Sequence, residues 1–101
     1  MKKIDVLVWG VKHIASNYNV ECDTDYEEYG SMSIMATRVP ILSDARMLCK
    51  DLDIPVSDCY VDSSWDTIVI DVYGWAQQRG QEEYTPSGLE MWKRFNAKIG
   101  E

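Results

Sequence analysis

Residues 67–72 carry five β-branched side chains in six positions, and this run constrains the fold more than any other segment. β-branched residues lose rotamer freedom in a helix and pack well on the pleated surface of a sheet. A polar corner, Asp62-Ser63-Ser64, separates the run from Cys59-Tyr60-Val61. Two strand-like runs joined by turn residues are typical of a β-hairpin. We therefore predict an antiparallel hairpin over about residues 58–73.

A helix across the same region is the alternative. Ile68, Val72 and Trp75 would share one helical face, and Gly80 would end the helix. Together with helices elsewhere in the chain, it would give an all-α bundle of four to five helices. The density of β-branched residues favours the hairpin, and with it an α+β fold.

Two helices are predicted to pack on the sheet. Apolar residues recur at helical spacing over about residues 41–53, and Pro55 prevents the helix from continuing. A second helix is predicted over about residues 86–99. Pro86 fits its first position, where the missing N–H is not needed.

The first 40 residues are less determined. The apolar spacing of residues 3–18 favours a helix, but Val6-Leu7-Val8-Trp9 is rich in strand formers and Gly10 weakens a helix, so a strand to Trp9 followed by a short helix remains open. Thr24-Asp25-Tyr26-Glu27 has the form of a capping box and predicts a helical turn that ends near Gly30. Residues 31–39 alternate weakly, which indicates a strand.

Size and composition suit one small domain, residues 1–101, with 46% hydrophobic residues. No apolar run is long enough for a membrane span, and Asp5 interrupts any signal peptide that Lys2 and Lys3 would open. We therefore expect a cytoplasmic protein that does not associate with membranes.

The cysteines and the single histidine match no metal-binding pattern. Cys22, Cys49 and Cys59 are spaced unlike zinc ligands, and His13 is the only histidine. Reduced, mostly buried thiols are the expectation. We predict no metal and no cofactor.

Charge is unevenly distributed along the chain. Residues 13–37 and 51–78 contain no lysine or arginine, yet they hold five and six of the 17 acidic residues. The net charge is −7. These acidic stretches predict a negative surface that selects basic partners and repels nucleic acid.

Aromatic residues lie beside the carboxylates in both acidic stretches. Carboxylates that project at strand spacing from one face can imitate a track of phosphates, and Trp and Tyr serve well as interface anchors. The predicted partner-binding residues are Glu27, Glu28, Asp58, Asp62, Asp66, Tyr26, Tyr29, Tyr60 and Trp65.

Direct binding to nucleic acid is not expected. Residues 45–61 have the apolar spacing of a helix-turn-helix, but a recognition helix from Ser57 would carry Asp58 and Asp62 and no basic residue. Phosphates would repel those carboxylates.

No phosphate-binding loop, catalytic triad or zinc-protease motif is present in the sequence, so we predict that the protein is not an enzyme. The expected function is a small acidic interaction protein that binds and inhibits a basic, nucleic-acid-handling protein. In general type it is similar to the small acidic inhibitors that bacterial viruses make against host defence systems. That similarity lies in length, charge and lack of motifs.

A small-ligand-binding or sequestering domain is the alternative function. It would form homo-oligomers, use Trp and Tyr as stacking plates, and bind anionic groups through Arg38, Arg46 or Arg79.

Overall fold

A four-stranded antiparallel sheet is built around the predicted hairpin. The computed structural model describes residues 1–84. The helices and strands, in chain order, are α1 (Lys3–Asn17), β1 (Cys22–Asp23), α2 (Tyr26–Tyr29), β2 (Ser31–Ile34), α3 (Val39–Asp51), β3 (Cys59–Asp62) and β4 (Thr67–Asp71). Short 3-10 turns cover Val56–Asp58 and Arg79–Gln81.

The strand order is β1-β2-β4-β3, so β4 lies inside the sheet and β3 lies at an edge of the described sheet. Ser31 of β2 faces Asp71 of β4, and Cys59 of β3 faces Ile70. The predicted hairpin is therefore confirmed, and the all-α alternative is wrong. The segment forms a strand because this conformation buries Ile68 and Ile70 on one face of the sheet and leaves Asp71 exposed on the other.

One face of the sheet packs against α1 and α3 and contains the core. Five of its inward side chains are fully buried: Met32, Ile34, Cys59, Ile68 and Ile70. They form one cluster with the buried faces of the two long helices. We call the opposite face of the sheet the outer face.

The amino-terminal segment is a helix, so the alternative of a strand to Trp9 is wrong. Ile4, Leu7, Val11 and Ile14 recur at helical spacing and all are buried. Burying this stripe outweighs the strand preference of single residues, because helix stability in proteins comes mostly from packing.

The predicted helix over 41–53 is confirmed as α3, which begins two residues earlier with Pro40 in its first turn. The helix-turn-helix over 45–61 does not form, because Cys59–Asp62 is a strand. Gly80 lies in a 3-10 turn and does not end a long helix. The predicted helix over 86–99 lies outside the described residues.

The turn predicted near Gly30 is α2. Gly30 ends it in the left-handed conformation with φ of 70°, which glycine adopts without strain. The capping box does not form: Asp25 is the residue before the helix, and no side chain caps it. The strand predicted over 31–39 is shorter than expected, because Ser31–Ile34 is extended and α3 starts at Val39.

Within residues 1–84, no helix is long and apolar enough to cross a bilayer.

Candidate interaction surface

The strand register separates the predicted partner-binding residues into two groups at opposite ends of the sheet. β2 starts, β4 ends and β3 starts at one end, where α2 also lies; we call it the α2 end. The β3–β4 turn lies at the other end, which we call the hairpin end. Asp58 directly precedes β3 and Asp62 ends it, so the length of the strand, roughly 13 Å, separates them.

The α2 end brings together the predicted residues of the first acidic stretch. Glu27, Glu28 and Tyr29 are exposed, and the Tyr29 side chain is 63% accessible. Tyr26 is half-buried and packs against the core. A single helical turn therefore presents two carboxylates and one aromatic ring while a second ring anchors it.

A cavity of about 530 Å³ opens at the α2 end, between α2 and the chain that follows β4. The lining residues are Tyr26, Glu27, Glu28, Tyr29, Gly30, Val72, Tyr73, Ala76, Gln77 and Gln81. Tyr73 is 76% exposed, although it is a large aromatic residue. None of these residues is basic.

Two groups at the α2 end, Glu28 and Tyr26, have raised pKa values. A hydrogen bond with Asp25 and the negative charge of that residue raise the pKa of Glu28. Burial raises the pKa of Tyr26, and the charges of Glu27 and Asp5 raise it further. Neighbouring negative charge contributes to both shifts.

The hairpin end uses its carboxylates partly for local structure. Oδ1 of Asp62 accepts a hydrogen bond of 3.0 Å from the Ser64 N–H. Oδ1 of Asp66 accepts one of 2.9 Å from the Thr37 hydroxyl. Trp65, between them, is 78% exposed. These carboxylates shape the turn and remain close to an accessible indole.

Within β3, Tyr60 and Asp62 occupy alternate positions and therefore share the outer face. Asp58 precedes the strand in a 3-10 turn and is half-buried. Nε of Arg46 donates a 3.4 Å hydrogen bond to the carbonyl of Cys59. A cation therefore lies at the start of β3, directly after Asp58.

The outer face adds carboxylates that the sequence prediction left out. Asp71 faces Ser31 and Asp23 faces Ser33, so both aspartates lie on the same side as Asp62. The strand residues on this face include no lysine or arginine. Three carboxylates thus lie on one side of the sheet, where Asp23 and Asp71 face serines and Asp62 faces Thr67.

Ion pairs between described residues gather in another region, around the start of α1. Nζ of Lys3 lies 2.7 Å from Oε1 of Glu82 and 3.1 Å from Oδ2 of Asp53, and Arg79 lies 3.8 Å from the same Asp53 oxygen. The amino terminus pairs with Glu83. The carboxylates with no ion pair to another residue within 1–84 include Glu27, Glu28, Asp62, Asp66 and Asp71.

The cysteines occupy the core side of the sheet. Cys49 and Cys59 are fully buried, and Cys22 is half-buried. A hydrogen bond with Cys59, together with burial, raises the pKa of Cys49. A buried, protonated thiol is a poor nucleophile. Among residues 1–84, no group of three or more His, Cys, Asp or Glu side chains is arranged to hold a metal ion.

The three arginines named as alternatives for binding an anion lie in separate places. The Arg38 guanidinium lies over the Tyr18 ring, 5.9 Å from its centroid. Arg46 and Arg79 line different surface depressions.

Sequence reasoning missed Tyr73, Asp71 and Asp23. Asp71 and Asp23 could be assigned to the outer face only through the pairing partners of their strands. Tyr73 follows β4 by two residues, and its place beside α2 depends on the same register.

Protein-family models, curated proteins and solved structures were compared with this chain, and none of them matches it. The chemistry of these surfaces is therefore the guide to function.

Proposed function

We propose that this protein is a small, non-enzymatic interaction protein that binds and inhibits a basic, nucleic-acid-handling protein. The binding surface comprises the outer face of the sheet and its α2 end. In the cell it would act as a nucleic-acid mimic of the kind that bacterial viruses direct against host defence systems. We place it in the cytoplasm, where its three cysteines would stay reduced.

The observation that carries the proposal is the separation of charge within residues 1–84. Asp23, Asp62 and Asp71 lie on one sheet face without a basic strand residue, while the ion pairs gather around Lys3. A surface of one sign raises the association rate with an oppositely charged protein and disfavours partners of its own sign.

Aromatic side chains supply the contact area that charge alone does not. Tyr29, Trp65 and Tyr73 are large and more than half exposed. Exposed Trp and Tyr are the residue types that most often dominate binding energy at interfaces. Long-range attraction and short-range anchoring therefore occur on the same molecule.

Capture of basic proteins from host extract, titrated with salt, tests the proposal. Capture through exposed charge should weaken as salt rises from about 50 mM to a few hundred millimolar, because the Debye length falls below about 10 Å. Capture that is unchanged over this range, or native mass spectrometry that shows a bound small molecule and no protein partner, would contradict the proposal.

Neutralising variants locate the surface. Asp62→Asn with Asp71→Asn removes two negative charges and keeps the oxygens that accept from Ser64 and Tyr73. The matched control, Ser16→Lys with Ser43→Lys, changes net charge equally at exposed helix positions. We expect about tenfold weaker capture for the first pair, equivalent to about 1.4 kcal/mol. The control should retain capture, and an equal loss in both pairs would mean that only net charge matters.

A further inference from the structure

We propose that the cavity at the α2 end receives a cationic side chain, an arginine or a lysine, of the partner protein. This inference rests on the proposed function and deepens it, since it assigns one pocket on the acidic surface to one chemical group.

The cavity has the dimensions of a binding site. Its volume of about 530 Å³ falls within the range of roughly 300–1,000 Å³ that is typical of ligand pockets. One wall is α2 with Gly30, and the other is formed by residues 72–77 together with Gln81. An extended arginine or lysine side chain is narrow enough to enter such a cleft.

The lining chemistry selects a cation. Tyr26, Tyr29 and Tyr73 contribute aromatic rings, and Glu27 and Glu28 contribute carboxylates. Aromatic faces attract ammonium and guanidinium groups, and carboxylates form charge-assisted hydrogen bonds with them. An anion would meet only like charge here, and an apolar group would bury carboxylates without compensation.

Backbone hydrogen bonds connect the two walls of the cavity in the free protein. The Val72 N–H donates a 3.0 Å hydrogen bond to the Gly30 carbonyl, and the Tyr73 N–H donates one of 3.1 Å to Asp71. A Cβ on Gly30 would lie 3.1 Å from Cδ2 of Tyr73, so the glycine permits close approach of the ring. A pocket whose walls are already tied together loses less entropy on binding.

Repulsion within the site favours an incoming cation. A hydrogen bond with Asp25 and the negative charge of that residue raise the pKa of the Glu28 carboxyl. A positive group beside Glu28 would relieve this repulsion, so the free energy gained on binding includes the loss of an unfavourable contact.

The test uses NMR of the full chain at low salt with three short peptides, acetyl-Gly-X-Gly-amide, where X is arginine, lysine or citrulline. Citrulline has nearly the shape of arginine without the charge. We expect saturable amide shifts at residues 26–30 and 72–77 with arginine and lysine, and at least tenfold weaker binding of the citrulline peptide.

Variants define the pocket. Tyr73→Leu and Glu28→Gln should each weaken the charged peptides about three- to tenfold. Val39→Ala, at a 78% exposed apolar position at the start of α3 and outside the proposed binding surface, is the control and should bind normally. Equal binding of the citrulline peptide, or shifts spread over the whole surface, would overturn the inference. So would peptide-induced dissociation of a dimer in sedimentation, since a second copy would then occupy the cavity.

Failure of this inference can be told apart from failure of the proposed function. If Tyr73→Leu and Glu28→Gln capture the partner as the natural sequence does, the pocket is not used but the acidic surface still binds. If the natural sequence captures no basic protein, the proposed function itself fails, whatever the peptides do.

Discussion

The Tyr18 hydroxyl donates a 2.8 Å hydrogen bond to Oδ2 of Asp44 and so joins the end of α1 to the buried side of α3. Asp44 is only 5% exposed, which is rare for a carboxylate and requires good hydrogen bonding. The contact links the two helices that cover the sheet.

We predict that Tyr18→Phe lowers the free energy of unfolding by about 1–3 kcal/mol, because a buried carboxylate loses a donor. Chemical denaturation measures the change. The matched control is Tyr29→Phe, at an exposed position, which should change stability by less than about 0.5 kcal/mol. Equal stability of both variants would mean that water replaces the Tyr18 hydroxyl without cost.

Gly10 of α1 packs against Leu48 of α3. A Cβ at this position would lie 2.6 Å from Cδ2 and 2.9 Å from Cδ1 of Leu48, which is fully buried. We predict that Gly10→Ala destabilises the protein, because overpacking costs about 1–3 kcal/mol and exceeds the gain in helix propensity of at most about 1 kcal/mol.

A double-mutant cycle with Leu48→Val tests the cause. The shorter side chain has no Cδ atoms, so Gly10→Ala should cost less in that background, with a coupling energy of at least about 0.5 kcal/mol. Additive effects in urea denaturation would show that the two residues do not compete for space.

Glu28 should destabilise the native protein at neutral pH. Its pKa is raised above the ordinary value of 4.5 in the folded chain, so the folded state binds the proton more tightly than the unfolded state does. The stability linked to this group is present at low pH and is lost as pH rises through the folded pKa.

Glu28→Gln should therefore melt at a higher temperature than the natural sequence at pH 7, and the difference should vanish below pH 4.5. Glu27→Gln is the control; Glu27 hydrogen-bonds Tyr26, so its neutralisation should not stabilise the protein. A lower melting temperature for Glu28→Gln at pH 7 would contradict the assigned repulsion. If Glu28→Gln raises the melting temperature and also weakens binding, Glu28 shows the trade-off between stability and function that is common at functional sites.

Lys3 should make the stability of the protein depend on pH in the alkaline range. A hydrogen bond with Glu82, and a second with Asp53, raise its pKa above the ordinary value of 10.5. Stability from these pairs is present below pH 10.5 and is lost as pH rises through the folded pKa. The carboxylates are more than half exposed, so the contribution stays below about 1 kcal/mol.

Thermal unfolding between pH 8 and 11.5 checks this prediction. The natural sequence should be more stable than Lys3→Met at pH 8, and the difference should shrink above pH 10.5. Lys12→Met, at an exposed position of α1, should show no such trend. A constant difference for Lys3→Met would assign the effect to packing of its side-chain stem.

Local patterns predicted the elements that local forces determine. The β-branched run of 67–72 gave the inner strand β4, and Pro55 limited α3. The segment 3–18 stayed ambiguous because burial of its apolar stripe depends on residues such as Leu48, far away in sequence. Gly10 looked like a defect in a helix, but it is a packing contact.

The candidate site was only partly predictable for the same reason. Glu27 and Tyr29 share α2 and could be grouped by sequence proximity. Asp58 and Asp62 looked like one patch, yet β3 carries them to opposite ends of the sheet. Tyr73 lies beside Gly30 because of the register between β2 and β4. That register cannot be read from either strand alone.

Strand β3 pairs with β4 alone among the described strands, so its second row of amide and carbonyl groups has no strand partner there. An exposed edge strand of this kind can pair with a strand of another molecule, and proteins with unprotected edge strands tend to aggregate. Asp58 and Asp62 flank this edge, and stacking two copies along it would force their charges together. Negative charge beside this edge should therefore disfavour fibre growth by pairing of sheet edges.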